Sequence, residues 1–268
     1  MKLNIVNREL KAHRKSLVIW SFGIIAIIAS GMSKYAGMES SGQSINKLMG
    51  DMPKIMQAIM GTGSLDLTTP LGFYGVLYLY LVIMLTIHAA MLGATIVAKE
   101  ERDKTVEFLI AKPITRTYII TSKLIASIIQ ILVLNIISLI FSIIFVARYS
   151  DMDVILQDIV ILTSGLLLLQ FIFLTVGSGI AAASKKQPKS APTIAAAILL
   201  FTFLLSIGVD MNENLGALKF FTPFKYVVAD KILNGHGIDP ISIVLSFVII
   251  IGMLAVTYIF YNKKDLHV

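Results

Sequence analysis

Six long apolar runs constrain this chain more than any other feature of its sequence. They cover residues 17–33, 71–98, 124–147, 159–183, 191–209 and 240–261. None of them contains Asp, Glu, Lys or Arg, and each is near or above the roughly 17 residues that can cross a bilayer as a helix. A helix satisfies its own backbone hydrogen bonds, as a membrane interior requires. The sequence therefore predicts an all-α polytopic membrane protein with six transmembrane helices in a single domain, residues 1–268.

The composition agrees with this class. Hydrophobic residues make up 56% of the chain and charged residues only 15%, with a mean hydropathy of +0.83, whereas soluble domains carry about 25% charged residues. Because there is no cysteine, the chain has no disulfides, no thiolate metal ligands and no Cys nucleophile. The net charge of +7 comes from basic residues clustered at the ends of the runs, which is typical of membrane topology. We therefore expect a lipid bilayer around the chain and no nucleic acid partner.

The distribution of Lys and Arg predicts the orientation. Five precede the first run, six lie between the second and third, three between the fourth and fifth, and two after the sixth, which leaves seven of the 23 for the opposite side. Loops rich in Lys and Arg stay in the cytoplasm. Both termini are therefore predicted to be cytoplasmic. We expect the chain in the plasma membrane of a bacterial cell.

The N-terminal residues 1–16 have an amphipathic pattern. Leu3, Val6 and Leu10 recur at helical spacing among five basic residues, which predicts an interfacial helix on the membrane surface. A secretory signal is the alternative, because a basic start before an apolar run is its usual form. The polar region is long for a signal and residues 29–31 make a weak cleavage site, so we favour an uncleaved first span.

Two segments on the outer side are too long to be simple turns. Residues 34–70 predict a Met-rich amphipathic helix that starts or breaks near Pro53. It would either handle apolar cargo or pack over the spans or a second subunit. Residues 210–239 predict a second amphipathic segment, which begins near Pro223, stops at two glycines, and can dip into the outer leaflet if protein covers its backbone.

Polar groups inside the spans are few. His88, Gln130, Asn135 and Gln170 are the strongest hydrogen-bonding groups there. Since no span contains an acid that could orient His88, we expect hydrogen bonds between helices rather than catalysis. Small residues at 90, 93 and 94 in the second span, and at 177 and 179 in the fourth, predict close helix packing.

No nucleotide-binding loop of the form G-x-x-x-x-G-K-[ST] occurs in the chain. We therefore expect no enzymatic activity, no cofactor and no metal on this chain. Any ATP that drives it must be bound, with Mg, by another subunit.

The segment 99–123 between the second and third spans packs much of the charge of the chain into one cytoplasmic stretch. Glu101, Thr105, Phe108 and Leu109 would share one side of a short helix that breaks at Pro113. The segment is either an ordinary solvated loop or a rigid handle for a partner.

The same segment resembles the signature of the permease subunits of ABC-2-type exporters, usually written E-x-x-x-G-T-x-E-x-L-x-x-x-P-x-x-R. Read from Glu100 or its neighbour to Lys123, the matching positions are Glu101, Thr105, Glu107, Leu109, Pro113, Arg116 and Lys123. One position departs from the signature, since Lys104 stands where the family commonly has Gly. The layout of the whole chain is also similar, and implies an ABC-2 (type V exporter-like) architecture.

This resemblance implies partners. Such permeases pair with a second permease chain, here an identical copy or a paralogue, and with two copies of a cytoplasmic ABC ATPase that bind ATP and Mg. The segment 99–123 would be the coupling helix that docks in the ATPase.

The resemblance also implies roles for single residues. Motion would be transmitted by the four polar residues Glu101, Thr105, Glu107 and Arg116. Two apolar residues, Phe108 and Leu109, would anchor in the ATPase. A second docking contact would come from the lysine group after the fourth span, Lys185, Lys186 and Lys189.

Two functions remain open from the sequence. The first is a permease subunit of an ATP-driven exporter of hydrophobic or amphipathic cargo, such as a peptide toxin, an antimicrobial peptide, a drug or a lipid-linked molecule. The alternative is a membrane immunity or sensor protein that binds its partner without pumping.

Overall fold

The computed structural model describes residues 4–40, 46, 50–62, 65–103, 114–184 and 190–263. Within those ranges every regular element is helical. The α-helices are α1 (Asn4–Ser40), α2 (Lys54–Met60), α3 (Pro70–Arg102), α4 (Arg116–Val146), α5 (Met152–Ala183), α6 (Ala191–Met211), α7 (Ala229–Leu233) and α8 (Pro240–Lys263), and two 3-10 helices cover Glu213–Phe221 and Pro223–Lys225.

Six of these helices, α1, α3, α4, α5, α6 and α8, are long and apolar enough to cross a membrane. The predicted all-α class with six spans is therefore confirmed. Each predicted apolar run falls inside one of the six helices to within one residue. We call the end of the bundle that holds Asn4 and Lys263 the inner end, and the opposite end the outer end, according to the predicted orientation.

Helix α1 is one continuous helix of 37 residues, so the amphipathic N-terminal segment and the first span are not separated by a break. At 1.5 Å per residue it is about 55 Å long, against about 30 Å for the hydrocarbon core of a bilayer. Near its outer end Tyr35 is buried, and its hydroxyl donates a hydrogen bond of 2.9 Å to the carbonyl oxygen of Thr68. Helix α1 therefore reaches contacts at both ends of the bundle.

Helices α3 and α5 form the central pair, and their backbones touch. A Cβ added to Gly93 of α3 would lie 2.2 Å from the carbonyl oxygen of Leu174, and one added to Gly177 of α5 would lie 2.1 Å from that of Ala90. Only glycine fits at both positions. The close packing predicted from the small residues of these two spans is confirmed.

The four strongest hydrogen-bonding side chains of the spans make three different kinds of contact. Asn135 of α4 donates a hydrogen bond of 2.8 Å to the side-chain oxygen of Gln170 of α5, as predicted. Gln130 instead donates to a carbonyl oxygen of its own helix, one turn earlier, at 3.3 Å. His88 packs edge-on against Trp20 of α1, with ring centroids 5.0 Å apart. The expectation of hydrogen bonds between helices is wrong for these last two, because Gln130 bonds within its own helix and the Nδ1 atom of His88 has no hydrogen-bond partner among the described residues.

The outer segment after α6 packs into the bundle. Its Phe224 is buried, with ring centroids 5.3 Å from both Phe173 of α5 and Phe203 of α6. Gly235 and Gly237 follow α7 with φ of +81° and +62°, a backbone conformation that favours glycine. The predicted stop at these two glycines is confirmed.

The outer helix α2 begins directly after Pro53 and ends at Gly61, which has φ of +65°. This start confirms the expectation for Pro53. The helix contacts α6, yet Ile55, Met56 and Ile59 remain about half exposed. It therefore packs over one span while it presents apolar side chains outward.

The contact between α3 and α5 generates a test. We expect Gly93→Ala and Gly177→Ala each to lower the free energy of unfolding by about 1–3 kcal/mol, because the new methyl group forces two backbones apart. Gly252→Ala in α8 is the matched control, since its Cβ would meet nothing within 4 Å. Thermal unfolding of the purified chain in detergent measures the difference. Equal midpoints for Gly93→Ala and Gly252→Ala would contradict the contact.

The absence of native cysteine allows a direct test of orientation. Asp151 precedes α5 at the outer end and Lys263 ends α8 at the inner end, and both are exposed. We expect a membrane-impermeant maleimide to label Asp151→Cys in intact cells, and Lys263→Cys only after the membrane is opened. The reverse labelling order would show that the predicted orientation is wrong.

Candidate functional site

A group of five charged side chains joins the inner ends of three long helices. Arg8 and Glu9 come from α1, Lys99 and Glu100 from the last turn of α3, and Lys123 from the second turn of α4. We call this group the inner charge cluster. Lys99, Glu100 and Lys123 lie at the two ends of the predicted coupling segment, residues 99–123, which overlaps the last turn of α3 and the first two turns of α4.

The inner charge cluster is a continuous chain of ion pairs. The ammonium group of Lys99 lies 2.9 Å from one carboxylate oxygen of Glu9, and Arg8 donates to the other at 2.6 Å. Arg8 also donates to Glu100 at 2.9 Å. The second carboxylate oxygen of Glu100 accepts from Lys123, whose ammonium group also donates to the carbonyl oxygen of Ile96 at 2.7 Å. Each carboxylate therefore bridges two cations.

Burial makes these pairs mutually dependent. The side chains of Glu9 and Lys123 are 0% exposed and that of Glu100 is 9% exposed. Taking an isolated charge out of water costs several kcal/mol, and only a well-placed opposite charge with further hydrogen bonds offsets this. Glu100 and Lys123 can therefore stay buried only while α3 and α4 keep their present register.

Local sequence places both partners at helix ends. The side-chain oxygen of Thr115 caps α4 by accepting from the backbone N–H of Tyr118 at 3.2 Å. This cap fixes the first turn of α4, so that Lys123 faces the end of α3 two turns later. The backbone N–H of Asp103 closes α3 on the carbonyl oxygen of Lys99. Lys99 and Arg102 lie in this last turn, where cations interact favourably with the helix dipole.

A second set of contacts joins the start of α4 to the end of α8. The guanidinium of Arg116 donates a hydrogen bond of 3.1 Å to the carbonyl oxygen of Asn262. One turn later, the hydroxyl groups of Thr121 and Tyr258 lie 2.8 Å apart. Through these contacts the inner end of α4 is connected to α8 as well as to α1 and α3.

Two of the coupling residues predicted from the sequence fall within the described ranges. Glu101 lies in the last turn of α3, partly buried, and Arg116 is the first residue of α4. The others lie outside the described residues: Thr105, Glu107, Phe108, Leu109 and Pro113, and the lysine group Lys185, Lys186 and Lys189.

Sequence reasoning missed most of the inner charge cluster. It singled out Glu101, whereas the neighbouring Glu100 is the glutamate that pairs with Lys123. Glu9 was also passed over, although it is the one acid among five basic residues before the first span. That isolated acid was the available signal, because a lone carboxylate in a basic amphipathic segment suggests a specific partner.

The charged groups of the cluster are engaged with one another. Both of its carboxylates are engaged by two cations, and Lys123 is engaged by a carboxylate and a carbonyl oxygen. Within the described ranges, no group of three or more His, Cys, Asp or Glu side chains could hold a metal ion. The arrangement holds three helix ends in one geometry.

Comparison with known proteins gave one match. A family described as "ABC-2 family transporter protein" matches residues 3–266, which is nearly the whole chain. No curated protein and no solved structure matches the chain.

A double-mutant cycle tests the buried pair. We expect Glu100→Gln to lower the free energy of unfolding by about 3 kcal/mol, because it leaves the buried ammonium group of Lys123 without a carboxylate. Lys123→Met should lower it by less, because Glu100 keeps its ion pair with Arg8. The double variant should lose less than the sum of the two, because it leaves neither charge without its partner. Thermal or denaturant unfolding in detergent measures all four proteins.

Asp103→Asn is the matched control. It removes one partner of the Arg102–Asp103 pair, whose side chains are 38% and 43% exposed, and exposed pairs contribute about 0–1 kcal/mol. Additive effects of Glu100→Gln and Lys123→Met, or losses no larger than that of Asp103→Asn, would contradict the mutual dependence of the pair.

Proposed function

The chain belongs to the ABC-2 transporter family as a multi-pass membrane permease subunit, and we propose that a separate ATPase drives it to export hydrophobic or amphipathic cargo. Permeases of this family typically work with an ATPase partner, and this chain has no nucleotide-binding loop of its own. The observation that carries the proposal is the inner charge cluster, which fastens both ends of the predicted coupling segment to the membrane helices.

Two copies of the ATPase would dock on the coupling segments of two permease chains. ATP closes the ATPase dimer, and the docked segments then move with it. Since Glu100 and Lys123 are paired at the two ends of the segment, a force on the segment reaches α3 and α4 together. Arg8 and Glu9 extend the connection to α1. The three helix ends would therefore shift as one body between inward and outward access.

The central pair of helices would carry this motion further. Gly93, where α3 touches α5, lies two turns before Glu100 on the same helix. A closely packed interior has low compressibility and transmits strain, so a displacement of one backbone presses directly on the other. A displacement of the inner end of α3 would therefore move α5 with it.

Within the coupling segment we keep the roles that the family resemblance implies. Glu101, Thr105, Glu107 and Arg116 would transmit motion through polar contacts, and Phe108 and Leu109 would anchor in the ATPase before the break at Pro113. Lys185, Lys186 and Lys189 would form a second docking contact. The bond from Arg116 to the carbonyl oxygen of Asn262 gives this residue a route to α8.

The proposals of an apolar cargo and of a second permease chain are supported by the exposed apolar surfaces of three helices at the periphery of the bundle. Helices α1, α6 and α8 are mostly exposed in the single chain, and their exposed residues are large and apolar, among them Phe22, Phe201 and Ile251. Such surfaces fit lipid, apolar cargo or a second permease chain, identical or paralogous, in the plasma membrane of a bacterium.

Reconstitution tests the proposal. The chain is purified with the ATPase of the adjacent reading frame, and ATP hydrolysis and cargo efflux are measured in liposomes. We expect Glu107→Ala and Arg116→Ala to lower coupled hydrolysis and efflux by about tenfold, the usual scale of coupling between two sites. Arg148→Ala is the matched control, because Arg148 lies at the outer end and packs over the ring of Phe145.

Two outcomes would overturn the proposal. One is unchanged coupled activity in both coupling variants. The other is the absence of a copurifying ATPase together with function that survives depletion of ATP, which favours a non-pumping immunity or sensor protein.

A further inference from the structure

The inner end of α1 carries three exposed cations that the inner charge cluster does not use. Lys11, Arg14 and Lys15 are exposed, and none of them forms an ion pair or a side-chain hydrogen bond with the part of the chain that the structure describes. Glu9, the one acid of α1 before the first span, does not offset them, because its side chain is 0% exposed and is paired with Arg8 and Lys99. The exposed surface of this part of α1 therefore carries only positive charge.

The three cations share one face of the helix, turned away from the bundle. Arg14 and Lys15 follow Lys11 by three and four residues, a spacing that brings side chains together on a helix. The buried residues of the same segment are Val6 and Glu9, which lie on the opposite side of α1. A ligand can therefore reach the cations without displacing another helix.

The same face becomes apolar one turn further along α1. Val18, Ile19 and Phe22 are 49%, 69% and 70% exposed, and Lys15, Ile19 and Phe22 follow one another at spacings of four and three residues. Because α1 is one unbroken helix, Val18 lies only about 4.5 Å beyond Lys15 along its axis. We call the three cations and the three apolar residues together the outward face of α1.

We propose that the outward face of α1 binds an anionic phospholipid, with the head group at Lys11, Arg14 and Lys15 and the acyl chains along the three apolar side chains. The phosphate of a phospholipid accepts charge-assisted hydrogen bonds from Arg and Lys. Each Lys or Arg close to a membrane surface adds to the attraction for anionic lipid. The face thus offers the polar and the apolar contact of a lipid in the order in which a lipid presents them.

The charge of the outward face selects among phospholipids. A zwitterionic head group brings a positive ammonium group to three cations that have no counter-charge, and like charges are disfavoured, whereas phosphatidylglycerol has a net negative charge. The apolar part of the face selects a lipid over a soluble phosphate, because only the acyl chains gain from burying Ile19 and Phe22. We therefore expect both a negative head group and acyl chains to be required.

A bound lipid would hold the inner end of α1 in place. Glu9 pairs with Lys99 of α3 at 2.9 Å on the other side of the same turns, so the helix is held between the lipid and the inner charge cluster. A ligand that binds only the folded chain stabilises it by mass action. This inference concerns the permease chain alone and does not depend on the proposed export function.

Native mass spectrometry of the purified, delipidated full chain in nonionic detergent counts bound lipids and compares their affinities. Dioleoyl phosphatidylglycerol is the probe, and dioleoyl phosphatidylcholine is its matched control, with the same acyl chains and no net charge. At low ionic strength we expect the first phosphatidylglycerol to bind at least about tenfold more tightly than phosphatidylcholine. It should also raise the midpoint of thermal unfolding. Glycerol 3-phosphate, which lacks the acyl chains, should not displace it at equal concentration.

A triple variant localises the head group. Lys11→Gln, Arg14→Gln and Lys15→Gln together should weaken the binding of phosphatidylglycerol about tenfold and leave that of phosphatidylcholine nearly unchanged, because the variant removes the charge but keeps the apolar part of the face. All three positions are exposed, so the fold should be retained, which size-exclusion chromatography checks.

A second triple variant is the charge-matched control. Lys34→Gln, Arg148→Gln and Lys219→Gln remove the same charge from exposed positions at the outer end, and should leave the preference for phosphatidylglycerol intact. Ile19→Ala with Phe22→Ala should weaken the binding of both lipids, because both use the apolar part of the face.

Four results would overturn the assignment. Equal affinity for the two lipids would show that the face does not read head-group charge. A preference that survives in the inner triple variant would place the lipid elsewhere. The same loss in the outer triple variant would show an effect of net charge alone. Displacement of phosphatidylglycerol by an equal concentration of glycerol 3-phosphate would show a site for soluble phosphate instead of lipid.

Discussion

The buried pair between Glu100 and Lys123 is the interaction on which the inner half of the structure depends. A charged group inside a membrane protein is stable only beside an opposite charge, so this pair permits one register of α3 against α4. Arg8 and Glu9 add α1 to the same constraint. The predicted coupling segment, residues 99–123, thus begins and ends at this constraint.

The two ends of the molecule differ in how tightly their helices are packed. Toward the inner end, ion pairs and the direct backbone contact at Gly93 and Gly177 leave little freedom for relative motion. At the outer end, side chains from α2, α3, α6 and the segment 224–230 surround a cavity of about 420 Å³. The inner end is therefore the more rigid part of the structure, and the outer end contains space that could hold a ligand.

Much of the fold could be predicted from the sequence, because the signals that specify it are local. Uncharged apolar runs gave the six spans, and Pro53 and Gly235 marked where outer elements begin or stop. The pairing of Glu100 with Lys123, and of Glu9 with Lys99, could not be predicted in the same way. It depends on which faces of three helices meet. It also depends on whether Glu100 or Glu101 faces α4, and these two side chains differ by one residue of helical rotation. The same limit applies to Gln130 and His88, whose partners are a backbone carbonyl and an aromatic ring.

The length of α1 has a geometric consequence. Arg8 is fixed in the inner charge cluster and Tyr35 is hydrogen-bonded to the backbone just before α3. The two residues are 27 positions apart, which is about 40 Å of unbroken helix. A rigid rod of that length converts angle into distance, so that a tilt of about 10° about one end moves the other by about 7 Å. A small rotation at the inner end would thus become a displacement wider than a water molecule at the outer end.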